Sequence, residues 1–313
     1  MNKDKKIECT NKQDINKKEF DNYINYNTEI IKRKRNRRTI DELTLSDSFM
    51  FYAVMQDYDI CKETLEVLLD IKIKEIKYIV GEKVMKPSYD GKGIRLDVYV
   101  EDDNQTVYNL EMQVESKRHI PKRTRYYQSV IDWEQLLQGE DYDSLKETLI
   151  IFICRFDMYS EDKPKYTFKY MCNEVKGLEL GDETSKVIYN TTAVNNNDKT
   201  YKELNISEKL YNLLRYIEKQ EINDEFTKRL DDKVESVKKD NDWREKHMQY
   251  EMNIQDAKRE GKIEGRELGK SEGQADIIKK MIKSGMSYEE VAKIVEIPVA
   301  LVKDYVHKNM EVI

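Results

Sequence analysis

Between Lys92 and Lys117 the chain reads KGIRLDVYVEDDNQTVYNLEMQVESK, and this stretch constrains the fold more than any other. Ile94, Leu96, Val98 and Val100 alternate with Arg95, Asp97, Tyr99 and Glu101. Tyr108, Leu110, Met112 and Val114 then alternate with Asn109, Glu111, Gln113 and Glu115. A period of two predicts two half-buried strands. The intervening Asp102-Asp103-Asn104-Gln105 is wholly polar and turn-forming, so the strands should pair as one antiparallel hairpin. A turn centred on Asn104 sets Asp97 opposite Glu111, and it puts Glu111 and Gln113 on the same sheet face as Asp97, with the apolar residues on the other.

Polar residues on one side of a hairpin are what a solvated sheet face looks like, and acids among them need no function. Yet like charges directly opposite one another cost roughly 0.2–1 kcal/mol, so the pairing is a poor structural choice unless a cation lies between them. A divalent metal is the usual solution, and Mg²⁺ is commonly held by one or two carboxylates with water and substrate phosphate completing the shell.

The succession of helix, strand, strand with Asp, strand with Glu-x-Gln, helix and strand resembles that of the PD-(D/E)XK nucleases, in which Glu-x-Lys is the usual form. Thr44-LSDSFMFYAVMQD, LDVYVED, NLEMQVES and RTRYYQSVIDWEQLLQGEDYDSLKETLIIFICRFDMY, with a glycine-punctuated C-terminal helix, look like its recombination-promoting nuclease/transposase (Rpn) branch, where Glu-x-Gln is the common form. The similarity runs from about Thr39 to Val194 and is looser beyond. It implies an α/β fold with a mixed sheet flanked by helices. It also implies an endonuclease that hydrolyses DNA phosphodiester bonds with Mg²⁺, Mn²⁺ or Ca²⁺, associated with recombination or mobile elements. Asp97 and Glu111 would ligate the metal, and Gln113 would stand where the usual lysine stands. Asp47 on the first helix would be an auxiliary acid, and Arg123 and Arg125, near the start of a helix beside the active site, would hold DNA phosphate. The competing reading is a degenerate nuclease core kept to bind DNA, or a scaffold.

The 313 residues allow one good core plus accessory parts. Charged residues make up 37%, more than a compact domain needs, which predicts tails and exposed helices. A net charge of -6 provides no global field for nucleic acid, so any contact with DNA must use local patches. Cys9, Cys61, Cys154 and Cys172 show no paired spacing and histidines are few, which argues against a zinc site or disulfide framework and for a reducing, cytoplasmic setting. No apolar run is long enough for a membrane span.

Residues 1–38 read as a loosely ordered arm ending in the basic run from Lys32 to Arg38. Residues 39–199 are the expected nuclease domain. Thr44-Leu45-Ser46-Asp47 reads as a helix start with Thr or Ser as cap, and a second helix follows from Ile60 to Leu69. Strands are expected at Ile73–Val84, Glu147–Cys154, Tyr166–Cys172 and Lys186–Val194. A helix over Pro121–Leu137 should bury Tyr126, Tyr127, Val130, Trp133 and Leu137.

Residues 200–260 form a helical extension. Residues 261–313 comprise a helix with Gly261, Gly265, Gly269 and Gly273 every fourth position, then a short helical hairpin, which reads as a packing or homodimer contact rather than a DNA reader.

Overall fold

A computed structural model describes residues 38–87, 91–116, 119–196 and 199–307. The basic run up to Arg37 and the order of the N-terminal arm lie outside the described residues.

The hairpin is built as its turn chemistry dictates. Asp102, 2% exposed, accepts from the amides of Asn104 and Thr106, each at 2.9 Å, and from the hydroxyl of Tyr108 at 2.8 Å. These bonds hold Gln105 in a left-handed conformation, φ 66°, that a non-glycine residue otherwise avoids. Strands β2 (Ile94–Asp102) and β3 (Val107–Gln113) then pair with Val98 opposite Leu110 and Tyr99 opposite Asn109. That register places Asp97 against Glu111, as the alternation predicts.

Around the hairpin stand β1 (Ile76–Met85), β4 (Thr148–Cys154), β5 (Lys165–Phe168) and β6 (Thr184–Asn190). The sheet order is β1-β2-β3-β4-β6-β5, with β3, β4 and β6 mutually parallel and the remaining pairs antiparallel. This mixed sheet corrects one expectation. β3 is central and buried at every residue, so its polar side does not face water. Helix α3 (Ile120–Gln135) covers that side, laying Ile120, Tyr127, Val130 and Ile131 on Tyr99, Val107, Ile150, Phe152 and Ile188. Each such fully buried aliphatic or aromatic side chain contributes about 1.5–3 kcal/mol. Trp133 and Leu137, expected on the same stripe, are 57% and 68% exposed, because the helix ends at Gln135 and the stripe has turned off the sheet.

Helices α1 (Ser48–Met55) and α2 (Tyr58–Leu69) precede the sheet. Asp47, not Thr44 or Ser46, is the N-cap residue of α1; its carboxylate reaches back to the amide of Thr44 at 2.8 Å. Tyr52 of α1 lies so close to β1 that a Cβ on Gly81 would fall 2.0 Å from its ring, so glycine is what permits this helix to approach the strand. Helices α4 (Glu208–Lys219) and α5 (Glu225–Lys239) pack on α2 and α1. Glu218 of α4 holds Arg155, just past β4, at 3.1 Å and accepts from Thr191 at 2.6 Å.

The chain divides into two compact units between His247 and Met248. Helix α6 (Asn241–Lys283) runs unbroken through the four periodic glycines, around which a Cβ would meet nothing within 4 Å. In the second unit Ile278 packs with Val291 and Ala292 of α7 (Tyr288–Ile294) and Val302 of α8 (Val299–His307). Among the described residues no helix is long and apolar enough to cross a membrane.

Candidate functional site

The last ladder pair of the hairpin is Val98 with Leu110. Beyond it the two acids take up backbone amides across the strands: the Asp97 amide donates to Oε1 of Glu111 at 3.1 Å, and the Met112 amide donates to Oδ2 of Asp97 at 3.1 Å. Each carboxylate is thereby fixed by the strand opposite its own. Glu111 is 1% exposed and Asp97 is half-buried at residue level. Burial, opposed by the Met112 amide and by Arg123, pushes the Asp97 carboxyl up to about 6. Burial and the neighbouring Asp97 push Glu111 further, to about 8, against the pull of Arg123. The pair therefore holds protons far more readily than free carboxylates and gains from any cation.

A cation is already present in the chain. Arg123 enters from the first turn of α3 and ion-pairs Oε2 of Glu111. It donates at 2.8 Å to Oε1 of Gln113 and at 2.8 Å to the hydroxyl of Tyr127, and its guanidinium lies 4.9 Å from the centre of the Phe152 ring. Gln113, 7% exposed, spends its Nε2 on the carbonyl of Glu115 at 2.8 Å, so both ends of the amide are assigned by their partners. Asn109, fully buried two residues before Glu111 on the same face, turns its side-chain amide to the Glu111 carboxylate and helps to hold it charged.

The structure thus brings together four of the six residues singled out from sequence: Asp97, Glu111, Gln113 and Arg123. Arg125 lies elsewhere, exposed on the flank of α3 facing β6, where it lines a cleft with Lys186 and Ile188. Asp47 pairs with Arg38 and caps α1; it shares a different pocket with Arg155 and Glu218. The pairing of Arg123 with Glu111, and the parts that Tyr127 and Asn109 play beside it, escaped the sequence reading. The i, i+4 spacing of Arg123 and Tyr127 in the first turns of a helix was the available signal.

Compared with known families, residues 50–262 match the PD-(D/E)XK nuclease family transposases. The chain belongs to that family. The match spans most of α1, the sheet, α2 to α5 and part of α6, and it supports a nuclease or transposase role for this PD-(D/E)XK chain. No curated protein and no solved structure matches it.

Among the described residues of this family member, no three His, Cys, Asp or Glu side chains are grouped to hold a metal ion. Two carboxylates set opposite each other, each tied to the other's strand, suit a hard cation that keeps much of its shell for water and phosphate. The donor set fits Mg²⁺, or Mn²⁺ or Ca²⁺, in that manner.

Proposed function

We propose that this PD-(D/E)XK family member is a divalent-metal-dependent DNA endonuclease acting in recombination or in the movement of mobile elements. The observation that carries the reading is the fixing of Asp97 and Glu111 by each other's strands, which aims two buried carboxylates at one place. The same bonds satisfy two backbone amides beyond the ladder, but holding two like charges opposite each other favours a site for a cation.

Asp97 and Glu111 would hold the cation, which supplies Lewis acidity toward water and the scissile phosphate. Gln113 is a neutral amide and takes no proton; it fixes the guanidinium of Arg123 beside Glu111. Arg123, stationed there without reorganisation, offsets negative charge developing on the phosphate. Arg125, outside this cluster and exposed, is a contact to a DNA phosphate that positions the nucleic acid without reading bases. Asp47, already engaged by Arg38 and Thr44 and lining a different pocket, serves the fold of α1 rather than the metal.

Buried free thiols at Cys61 and Cys154 suit a reducing cytoplasm. Exposed Ile277, Ile294 and Leu301 beside the small core of the second unit offer a surface on which two copies would pair.

The test is cleavage of supercoiled and linear DNA by the purified chain with Mg²⁺, Mn²⁺, Ca²⁺ or chelator. Cleavage that requires metal and is lost in Asp97→Asn supports the reading. Metal-independent cleavage, or wild-type cleavage by Asp97→Asn after a contaminating nuclease is excluded, overturns it. The ion pair of Arg123 with Glu111 favours a second reading, a DNA-binding protein or scaffold whose carboxylates are neutralised internally. That reading predicts DNA binding with no cleavage under any metal.

A further inference from the structure

On the far flank of α3 from Arg123, a cleft of about 350 Å³ opens between the helix and the edge of the sheet. That size lies at the lower end of small-ligand sites. Its walls combine three aromatic rings, Tyr159, Phe168 and Tyr170, with three cations, Arg125, Lys169 and Lys186, over a floor that includes Ile188. The Tyr159 and Phe168 rings are 5.2 Å apart, and the Lys186 ammonium sits 5.3 Å from the centre of the Tyr170 ring. Lys169 is paired with Glu179, and Lys186 donates to Thr184. Arg125 forms no ion pair among the described residues. Glu179 offsets Lys169, and Asp182 and Asp132 stand near Lys186, so Arg125 with Lys186 supplies the cleft's local positive charge, which suits an anion that also carries a flat apolar surface.

The register of the sheet relates this cleft to the carboxylates. Glu111 pairs with Phe152, and Phe152 pairs with Ile188, so the three stand in one row across parallel strands. Two strand spacings put the floor of the cleft roughly 10 Å from the backbone of Glu111. Helix α3 lies over that row, with Arg123 on one flank and the cleft on the other, so the separation is measured beneath the helix.

We propose that the cleft receives one unpaired nucleotide of the DNA that this chain binds, its base against the aromatic wall and its phosphate among the cations. The proposal rests on the nuclease reading above. Aromatic platforms flanked by basic groups hold single strands in this way without reading sequence, because every base has a stacking face. The cleft therefore makes the protein prefer DNA with a frayed, gapped or single-stranded segment.

The experiment measures binding by fluorescence anisotropy with chelator present. It uses the full chain, a labelled short oligothymidylate, and a blunt duplex of mixed sequence. The variants are Phe168→Ala/Tyr170→Ala and, separately, Lys186→Gln. Phe168 and Tyr170 are 41% and 52% exposed, so their truncation spares the core, and a melting curve checks this. We expect the aromatic double variant to lose about tenfold or more in affinity for oligothymidylate while duplex affinity stays within about twofold. Lys186→Gln should weaken oligothymidylate binding and flatten its salt dependence.

Unchanged oligothymidylate affinity in all variants, or an equal loss on both DNAs, overturns the proposal. So does a change in sedimentation of the aromatic variant, which would mark the surface as a contact between protein chains. If the wild type cleaves and binds duplex with metal but its single-strand binding ignores these substitutions, only the cleft assignment falls. If it neither binds nor cleaves any DNA, the nuclease reading falls with it.

Discussion

Arg123 reaches from the first turn of α3 to the carboxylate of Glu111, so the most buried acid of the site is neutralised by the chain itself. Removing one member of a buried ion pair strands the other. Arg123→Ala should therefore cost about 2–3 kcal/mol in urea unfolding at pH 8 with chelator, at or below the usual range for such a loss because the arginine side chain is partly exposed. A divalent cation and this guanidinium compete for one carboxylate, so Mg²⁺ should raise the melting temperature of Arg123→Ala by more than it raises that of the wild type. Equal stability of variant and wild type would mean that the ion pair does not persist in solution.

The two acids differ in what neutralising them should do. Asp97→Asn removes a charge held in a buried place and keeps an oxygen for the Met112 amide, so the melting temperature without metal should stay level or rise. Glu111→Gln also takes the counter-charge from Arg123, so its melting temperature should rise less or fall. Both should abolish metal-dependent cleavage.

The pH dependence follows from the same groups. The folded carboxyls titrate above their unfolded range of about 4, at about 6 for Asp97 and about 8 for Glu111, so the folded state binds more protons across that window. Their contribution to stability must fall as pH rises from about 4 to about 8 and level off above it. The difference in stability between wild type and Asp97→Asn, measured in chelator, isolates the Asp97 part. A difference that shifts in favour of the wild type on raising the pH from about 4 to about 6 contradicts the assignment. Metal displaces the protons, so apparent Mg²⁺ affinity should increase with pH over the same range.

Asp102 lies at the other end of the hairpin, yet it decides where Asp97 stands. Its three bonds hold the turn that sets the register. Asp102→Ala leaves two amides and the Tyr108 hydroxyl without that partner and should cost about 2–4 kcal/mol. Metal-induced stabilisation should weaken along with it, because a slipped register moves Asp97 to the other face. Full metal response in a destabilised Asp102→Ala chain would show that the register has a second anchor.

Much of this arrangement could be read before any coordinates, because alternation and turn chemistry are local. The strand period and the Asp102–Gln105 turn are enough to put Asp97 across from Glu111. Burial of the polar face of β3 could not be read in the same way. It depends on β4 and α3 arriving from more distant sequence, and a strand facing water on one side carries the same alternation. The partner of Glu111 was equally hidden. Arg123 and Arg125 look alike on paper, two basic residues at a helix start. The turn of the helix sends one onto the carboxylates and the other toward β6. Asp47 was legible as a helix-start residue, but its link to Arg38 was not.

The last prediction concerns Gln113, which stands where the wider superfamily carries lysine. Taken alone, the position invites Gln113→Lys as a restoration. The structure changes that expectation, because Oε1 of Gln113 accepts from Arg123 at 2.8 Å, and a lysine there would bring an ammonium against a guanidinium in a place only 7% exposed for the native glutamine. Like charges in a buried site cost more than on a surface, so Gln113→Lys should lose about 2–3 kcal/mol of stability in chelator and bind Mg²⁺ more weakly than the wild type. Pairing it with Arg123→Gln moves the cation from the helix to the strand while keeping one positive charge and one amide beside Glu111. The double variant should be more stable than the sum of the single changes allows, with a coupling of at least about 1 kcal/mol in a double-mutant cycle. Cleavage, if the nuclease reading holds, should return in the double variant with an altered pH profile, because an ammonium titrates where a guanidinium does not. Additive effects in the cycle would show that Gln113 and Arg123 do not share a charge site, and the account of Arg123 as the resident cation would then fail.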